Sequence, residues 1–296
     1  MRKFRLDRAL SVGLVYPALR MLDGHRRRRV PILMYHGIRE GRGRKHPYFE
    51  TNTSPGLFCR HMQFFRDKGY TTVDLRGALE AITSGSDVGR RVAITFDDGY
   101  RDFYAHAFPT LAEHGFKATV FIVSGLTGEQ RICKDNKEFM TWSEIREVHS
   151  YGIQVGSHTV NHPELYRLSP RELEDEIKNS KETIEDWLGA GVSSFSYPFA
   201  FPEHDKEFVK MVQFFLERHG YENGVSTIIG TAGSKDDRFF LPRLPVNSWD
   251  DLDFFRAKLE GGYDWLHLFQ RANKLMKAGT ASWIRESNQV TSLSPR

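Results

Sequence analysis

Strand-like apolar runs recur at residues 30–36, 92–97, 117–123, 153–157, 193–197, 225–229 and 241–246, and stretches of helical character separate them. Regular alternation of this kind predicts parallel βα units. The expected fold class is α/β, an irregular (β/α) barrel of about seven parallel strands. One helix is legible in detail. Ser169 is its N-cap, Pro170 opens its first turn, Glu172 stands three residues after the cap, and Gly189 and Gly191 stop it. Leu173, Ile177, Ile184, Trp187 and Leu188 form its core stripe, and its charges read as ordinary solvated positions.

Two of the apolar runs end in chemistry. Val92-Ala93-Ile94 runs into Thr95-Phe96-Asp97-Asp98-Gly99, and Ile153-Gln154-Val155-Gly156 runs into Ser157-His158-Thr159-Val160-Asn161-His162. Polar residues at the C-terminal ends of parallel strands lie on the face where barrel enzymes collect their catalytic groups. One carboxylate and two imidazoles make a three-ligand set for a divalent ion such as zinc, with room for water and substrate, and a second carboxylate beside the ion can take a proton from that water. Taken alone, Asp-Asp-Gly is more often a turn. The zinc-protease form of His-x-x-x-His requires a helix and Glu after the first His, whereas here Thr159 follows, with Gly156 and Pro163 flanking the pair.

The combination resembles the polysaccharide deacetylase family, carbohydrate esterase family 4 or the NodB-homology domain. Its first motif, Thr-Phe-Asp-Asp-Gly, is matched by residues 95–99, and its second, His-(Ser/Thr)-x-x-His, by residues 158–162. The likeness takes in Lys117-Ala118-Thr119-Val120-Phe121-Ile122-Val123 and Met140-Thr141-Trp142, and covers roughly residues 30–260. It implies a deacetylase-type barrel with Asp97 as general base and Asp98, His158 and His162 as ligands of one divalent metal ion, zinc first, with cobalt, manganese or iron as alternatives. The family's third motif is Arg-x-Pro-Tyr. Here it reads Ser196-Tyr197-Pro198-Phe199, so Phe199 inherits the backbone N–H that holds the oxyanion, and Ser196 stands where the arginine would be. Arg243 is the candidate to replace that charge in space. The family's closing Leu-x-His motif has no convincing match: His267 follows Trp265 rather than leucine, and His36, at the end of Pro31-Ile32-Leu33-Met34-Tyr35-His36-Gly37, is the other candidate for the acid.

With 296 residues, 40% hydrophobic and 13% aromatic, the chain can bury one large core, and nothing in it is repetitive. The expected organisation is a basic, partly apolar segment at 1–30, a catalytic domain at 31–265, and a helical or polar tail at 266–296. Cys59 and Cys133 lack metal-binding spacing, which excludes a structural zinc knot, and two cysteines argue against a disulfide framework while leaving a single bridge open.

Charge changes the picture at one end. Residues 1–30 hold nine basic and two acidic residues, a net +7, so the remainder carries −3 within the total of +4. Between Arg8 and Arg20 lies an uncharged stretch too short for the ~20 residues of a membrane span. It lacks a small-residue cleavage site, so the segment reads as lying on an anionic membrane surface, against the alternative of a leader packed on the domain. Nucleic acid is not an expected partner, because no reading module follows Arg26–Arg29. The expected location is cytoplasmic or peripheral at the inner membrane face, with export left open.

Three functional readings follow. The first is a hydrolase removing N-acetyl groups from amino sugars of a polysaccharide or lipid-linked glycan precursor. The second is a glycan-binding relative without turnover, suggested by Ser196, and the third is a hydrolase of another small or cyclic amide. Loops 125–136 and 201–207 are expected to border the cleft.

Overall fold

The computed structural model describes residues 5–21, 28–40, 46–84, 87–128 and 137–272. Twelve strands occur among them: β1 (Arg29–Val30), β2 (Ile32–Tyr35), β3 (Gly37–Ile38), β4 (Asn52–Thr53), β5 (Thr71–Val73), β6 (Arg91–Phe96), β7 (Thr119–Ile122), β8 (Gln154–Ser157), β9 (Ser194–Ser196), β10 (Asn223–Ile229), β11 (Ala232–Gly233) and β12 (Leu241–Pro245). All seven apolar runs of the sequence are barrel strands. They pair in parallel in the order β2-β12-β10-β9-β8-β7-β6, and β6 returns to β2 with Leu33 opposite Ile94, which closes the barrel. Strand β5, which the apolar pattern did not flag, adds to β6 on the outside. Its exposed Thr71 and half-buried Val73 are too polar an alternation to stand out as a run.

The helices flank this barrel: α1 (Leu6–Leu10), α2 (Tyr16–Met21), α3 (Pro55–Asp67), α4 (Leu75–Thr83), α5 (Phe108–His114), α6 (Trp142–Ser150), α7 (Pro170–Leu188), α8 (Lys206–Arg218) and α9 (Leu252–Leu259). Helix α4 covers the end where strands begin, packing Leu75, Ala78 and Ile82 into a cluster with Ile32, Ala93 and Leu241. The opposite end stays open for the site. Helix α7 starts as its sequence requires, with a reciprocal Ser169–Glu172 capping box, and ends at Gly189 in the left-handed conformation with φ 66°. Leu173, Ile177 and Ile184 are buried, but Trp187 is not part of the core stripe. It lies on the surface, stacked face to face on Trp142 at 5.3 Å.

The amino-terminal segment is seated on the domain. Helices α1 and α2 are joined by a π-helical turn, Ser11–Val15. Arg5 bridges Asp7 at 2.5 Å and Asp250 at 3.0 Å, Lys258 reaches Asp250 at 2.7 Å, and the Tyr263 hydroxyl donates to Asp7. Trp265 donates its indole N–H to Ser11. No helix among the described residues is long and apolar enough to cross a membrane. Cys59 is exposed, while Cys133 and the tail beyond 272 lie outside the described residues.

Candidate active site

Each site residue sits just past the C-terminal end of a barrel strand. His36 follows β2, Asp97 and Asp98 follow β6, His158 and His162 follow β8, and Phe199 follows β9. Among the described residues, four that are not glycine have positive φ, and all four are here: Asp98 (75°), Thr159 (69°), His162 (54°) and Phe199 (56°). A left-handed backbone costs such residues of order 1–3 kcal/mol each, so surrounding contacts must hold them in place. Gly99 is in the same region at φ 71°, where a Cβ would come within 3.0 Å of Ile122 Cδ1.

The holding contacts come from α7 and from the motifs themselves. The Glu176 carboxylate accepts the backbone N–H groups of Val160 and Asn161 at 2.8 and 2.9 Å and the Asn161 side chain at 2.7 Å. Buried Ser180 receives the Ser157 hydroxyl and donates to the Thr159 carbonyl. Thr159 Oγ1 in turn accepts the His162 N–H. Glu176 therefore clamps the histidine loop rather than being a solvated charge. Its only sequence signal is the i, i+4 spacing to Ser180, which puts both on one face of α7.

Asp97 is buried beside Arg243, which projects from β12 and has no exposed surface. The guanidinium meets the carboxylate with two prongs, Nη1 to Oδ1 and Nη2 to Oδ2, each at 2.7 Å. Its remaining donors go to the Thr95 hydroxyl, the Ser196 hydroxyl and the Ser226 carbonyl. Ser196 also donates to Asp97 at 3.2 Å. The fixed charge absent from Ser196 is thus supplied by Arg243 from three strands further along the chain. Burial works to raise the Asp97 pKa, but Arg243 and His158 outweigh it and hold the carboxyl below its usual range.

Asp98 Oδ1 lies 3.5 Å from His158 Nε2 and 3.4 Å from His162 Nε2, and the three side chains offer ligand atoms all within 4.8 Å of one another. Two of those separations suit a tetrahedral ion, whose ligands stand about 3.3 Å apart when bonds are ~2.0–2.1 Å. His158 is oriented from behind, since its Nδ1 lies 2.7 Å from the Ser196 carbonyl and its Nε2 is left to face Asp98. Burial presses on all three groups. Even so, the histidines hold Asp98 far below the ordinary carboxylate range, and its charge raises His158. Burial and neighbouring His158 lower His162 to about 4. The donor set fits one divalent ion.

His36 Nε2 is 3.9 Å from Asp97 Oδ2, so it belongs to the same cluster. Burial lowers its pKa against the pull of Asp98 and Asp97. Phe199 lies on the rim, half its surface exposed, with its ring 4.6 Å from that of His162. Its carbonyl is tied to the Thr227 hydroxyl, and no acceptor takes its N–H among the described residues. His267 is paired with Glu203 at 2.9 Å and takes no part in the contacts among His36, Asp97, Asp98, His158 and His162. Loop 201–207 does border the rim, with the Phe201 N–H bound to the same Thr227 hydroxyl that holds Phe199. Of loop 125–136, residues 129–136 lie outside the described residues.

Comparison with known proteins bears on this arrangement. The family model described as polysaccharide deacetylase matches residues 84–220, a span that contains both aspartates, both histidines and Phe199. YxkH of Bacillus subtilis (strain 168) is 31% identical over 233 residues, covering 78% of this chain and 76% of that protein. The chain belongs to the polysaccharide deacetylase family. It is accordingly a hydrolase acting on carbon–nitrogen bonds other than peptide bonds. A poly-beta-1,6-N-acetyl-D-glucosamine N-deacetylase of Staphylococcus aureus (strain MSSA476) is 22% identical over 205 residues, covering 66% of this chain and 68% of its own. Among solved structures, the Streptococcus pyogenes deacetylase PplD in complex with acetate superposes with a TM-score of 0.67 at 26% identity, over 78% of this chain and 98% of that one. The (β/α) barrel of this family member is the fold expected from the alternating strand and helix pattern.

Proposed function

We propose that this deacetylase is metal-dependent and removes N-acetyl groups from amino sugars of a polysaccharide or a lipid-linked glycan precursor. The observation that carries the reading is the juxtaposition of two differently held carboxylates: Asp98 facing His158 and His162, and Asp97 gripped by Arg243 beside them. Asp98, His158 and His162 would hold the ion, zinc by preference for this donor set, with cobalt, manganese or iron as substitutes. When bound, such an ion polarises the acetyl carbonyl and acidifies water.

The chain's own groups do the rest. Asp97 stays ionised near neutrality and keeps lone pairs beyond the two that Arg243 occupies, so it can take a proton from water. The water oxygen adds to the acetyl carbon, and the Phe199 N–H donates to the carbonyl oxygen as negative charge develops there. His36, neutral in the resting site, receives the proton from Asp97 and delivers it to the leaving nitrogen as the C–N bond breaks. Acetate and a free amine result.

The S. aureus relative supports an N-acetylglucosamine polymer as the substrate class. The net +7 of residues 1–30 supports peripheral contact with an anionic membrane, at the inner face if the chain stays in the cytoplasm.

The test is acetate release from N-acetylated oligosaccharides, with cyclic imides as the competing substrates and metal content measured on the same samples. Asp97→Asn should lower turnover by roughly 10²–10⁴-fold and keep its metal, whereas His158→Ala should lose both. Imide turnover without acetate release, or loss of metal from Asp97→Asn, overturns the assignment.

A further inference from the structure

The amino-terminal helices bury polar side chains and leave a row of apolar ones on the surface. The polar residues Arg5, Asp7 and Ser11 are the buried ones, pinned by Asp250, Tyr263 and Trp265. Val12 packs inward against the core, but a second set of apolar residues faces out: Leu6 is 58% exposed, Leu14 64% and Met21 86%, with half-buried Leu10 between the first two at helical spacing. An outward row of large apolar side chains gains nothing from folding in water, because hydrophobic burial would favour covering it.

The stripe continues toward the barrel mouth. Arg5 lies under the Tyr48 ring at 5.6 Å, and next to Tyr48 the Phe49 side chain is 71% exposed. Tyr48 and Phe49 belong to the turn Pro47–Phe49, which falls between β3 and β4 and follows His36 by eleven residues. The Asn247 side chain fastens that turn by donating to the Pro47 and Glu50 carbonyls at 2.9 and 3.1 Å. Basic residues bracket the apolar face in sequence, with Arg2 and Lys3 before it and Arg20, Arg26, Arg27 and Arg28 at or after its end.

We infer that this face is where the enzyme lies on an anionic lipid bilayer, with Leu6, Leu10, Leu14, Met21, Tyr48 and Phe49 entering the headgroup boundary. Apolar side chains framed by cations are the chemistry that binds such a surface from one side without crossing it. Strands β3 and β4, which flank that turn, follow the C-terminal end of β2, the end of the barrel that holds the site, which suits an N-acetylated glycan carried on a lipid. That last point rests on the deacetylase reading; the lipid contact does not.

The experiment is co-sedimentation of the full chain with phosphatidylcholine vesicles containing about 30 mol% phosphatidylglycerol, at about 0.1 M salt so that charge is only partly screened. Neutral phosphatidylcholine vesicles form the second arm. Leu14→Gln/Met21→Gln and Phe49→Gln change exposed side chains only and leave charge unaltered. The wild type should sediment with anionic vesicles and weakly with neutral ones, and each variant should lose about tenfold in partitioning while hydrolysing a soluble acetylated oligosaccharide at the wild-type rate. Vesicle binding is read without turnover, so it stands or falls separately from the substrate assignment. Absent binding by the wild type, equal binding by the variants, or equal binding to neutral vesicles overturns the inference. So does a concentration-dependent dimer that the variants abolish, which would make a second copy the occupant.

Discussion

At the scale of single residues, Arg243 shows how a site keeps its electrostatics while losing a motif position. Its fork meets both oxygens of Asp97, and its other donors are also occupied, so the carboxylate is fixed in orientation as well as charge. Lysine would keep the charge and lose the fork. Arg243→Lys should therefore reduce kcat by about 10–100-fold, since misorientation of a reacting group costs on that order, while KM and metal content stay near wild type. Matched losses in kcat and metal would mean that Arg243 supports the ligands and not the base. The shift of charge from Ser196 to Arg243 was open to suspicion from the sequence but not to proof. Residues 196 and 243 are far apart in the chain, and only barrel pairing through β10 brings their side chains to 3.2 Å.

At the scale of elements, α7 does more than cover the barrel. Glu176 and Ser180 hold the loop that carries both histidines, and Glu176 alone accepts three hydrogen bonds from it. Glu176→Gln removes the charge from those bonds, and charge-assisted bonds are the stronger kind. Metal affinity, measured by competition with a chelator, should fall by about tenfold, in line with changes to groups that orient ligands. Unchanged affinity would reduce the clamp to a packing role. The ends of α7 were legible, because caps are local chemistry: Ser169, Glu172 and Gly189 act within one turn of themselves. The seven barrel strands were legible for a related reason, as buried parallel strands need apolar runs whatever they pair with. Trp187 and Glu176 were not. Stacking of Trp187 on Trp142 and the reach of Glu176 to Val160 depend on how α7 lies across its neighbours, which no pattern within the helix encodes.

At the scale of the whole molecule, the first described helices are joined through buried charge to the region that follows β12. Arg5 meets Asp250, which Lys258 also reaches, and Asp7 meets Tyr263, so the amino-terminal helices are fastened to α9 and to the turns on either side of it. Burial tends to raise the Asp7 pKa, but Arg5 outweighs it and leaves the folded value below that of the unfolded chain. A carboxyl lowered in this way stabilises fully above its unfolded pKa of about 4, and the contribution is lost as pH falls through the folded value. Asp7→Asn should thus melt below wild type at neutral pH, and the gap should close as pH drops below about 4. A gap independent of pH would show that the aspartate acts through packing. Barrel closure has a further consequence for how the protein is made. Strand β12, which carries Arg243, is the last barrel strand to leave a ribosome, and β6, which runs into Asp97, is the second. Until β12 inserts between β10 and β2, the carboxylate of Asp97 has no guanidinium to meet. A chain that buried Asp97 before that strand arrived would leave the carboxylate without its two-pronged partner, at a cost of several kcal/mol for a buried charge that has lost its pair, so one strand supplies both the last piece of the barrel wall and the support of this carboxylate.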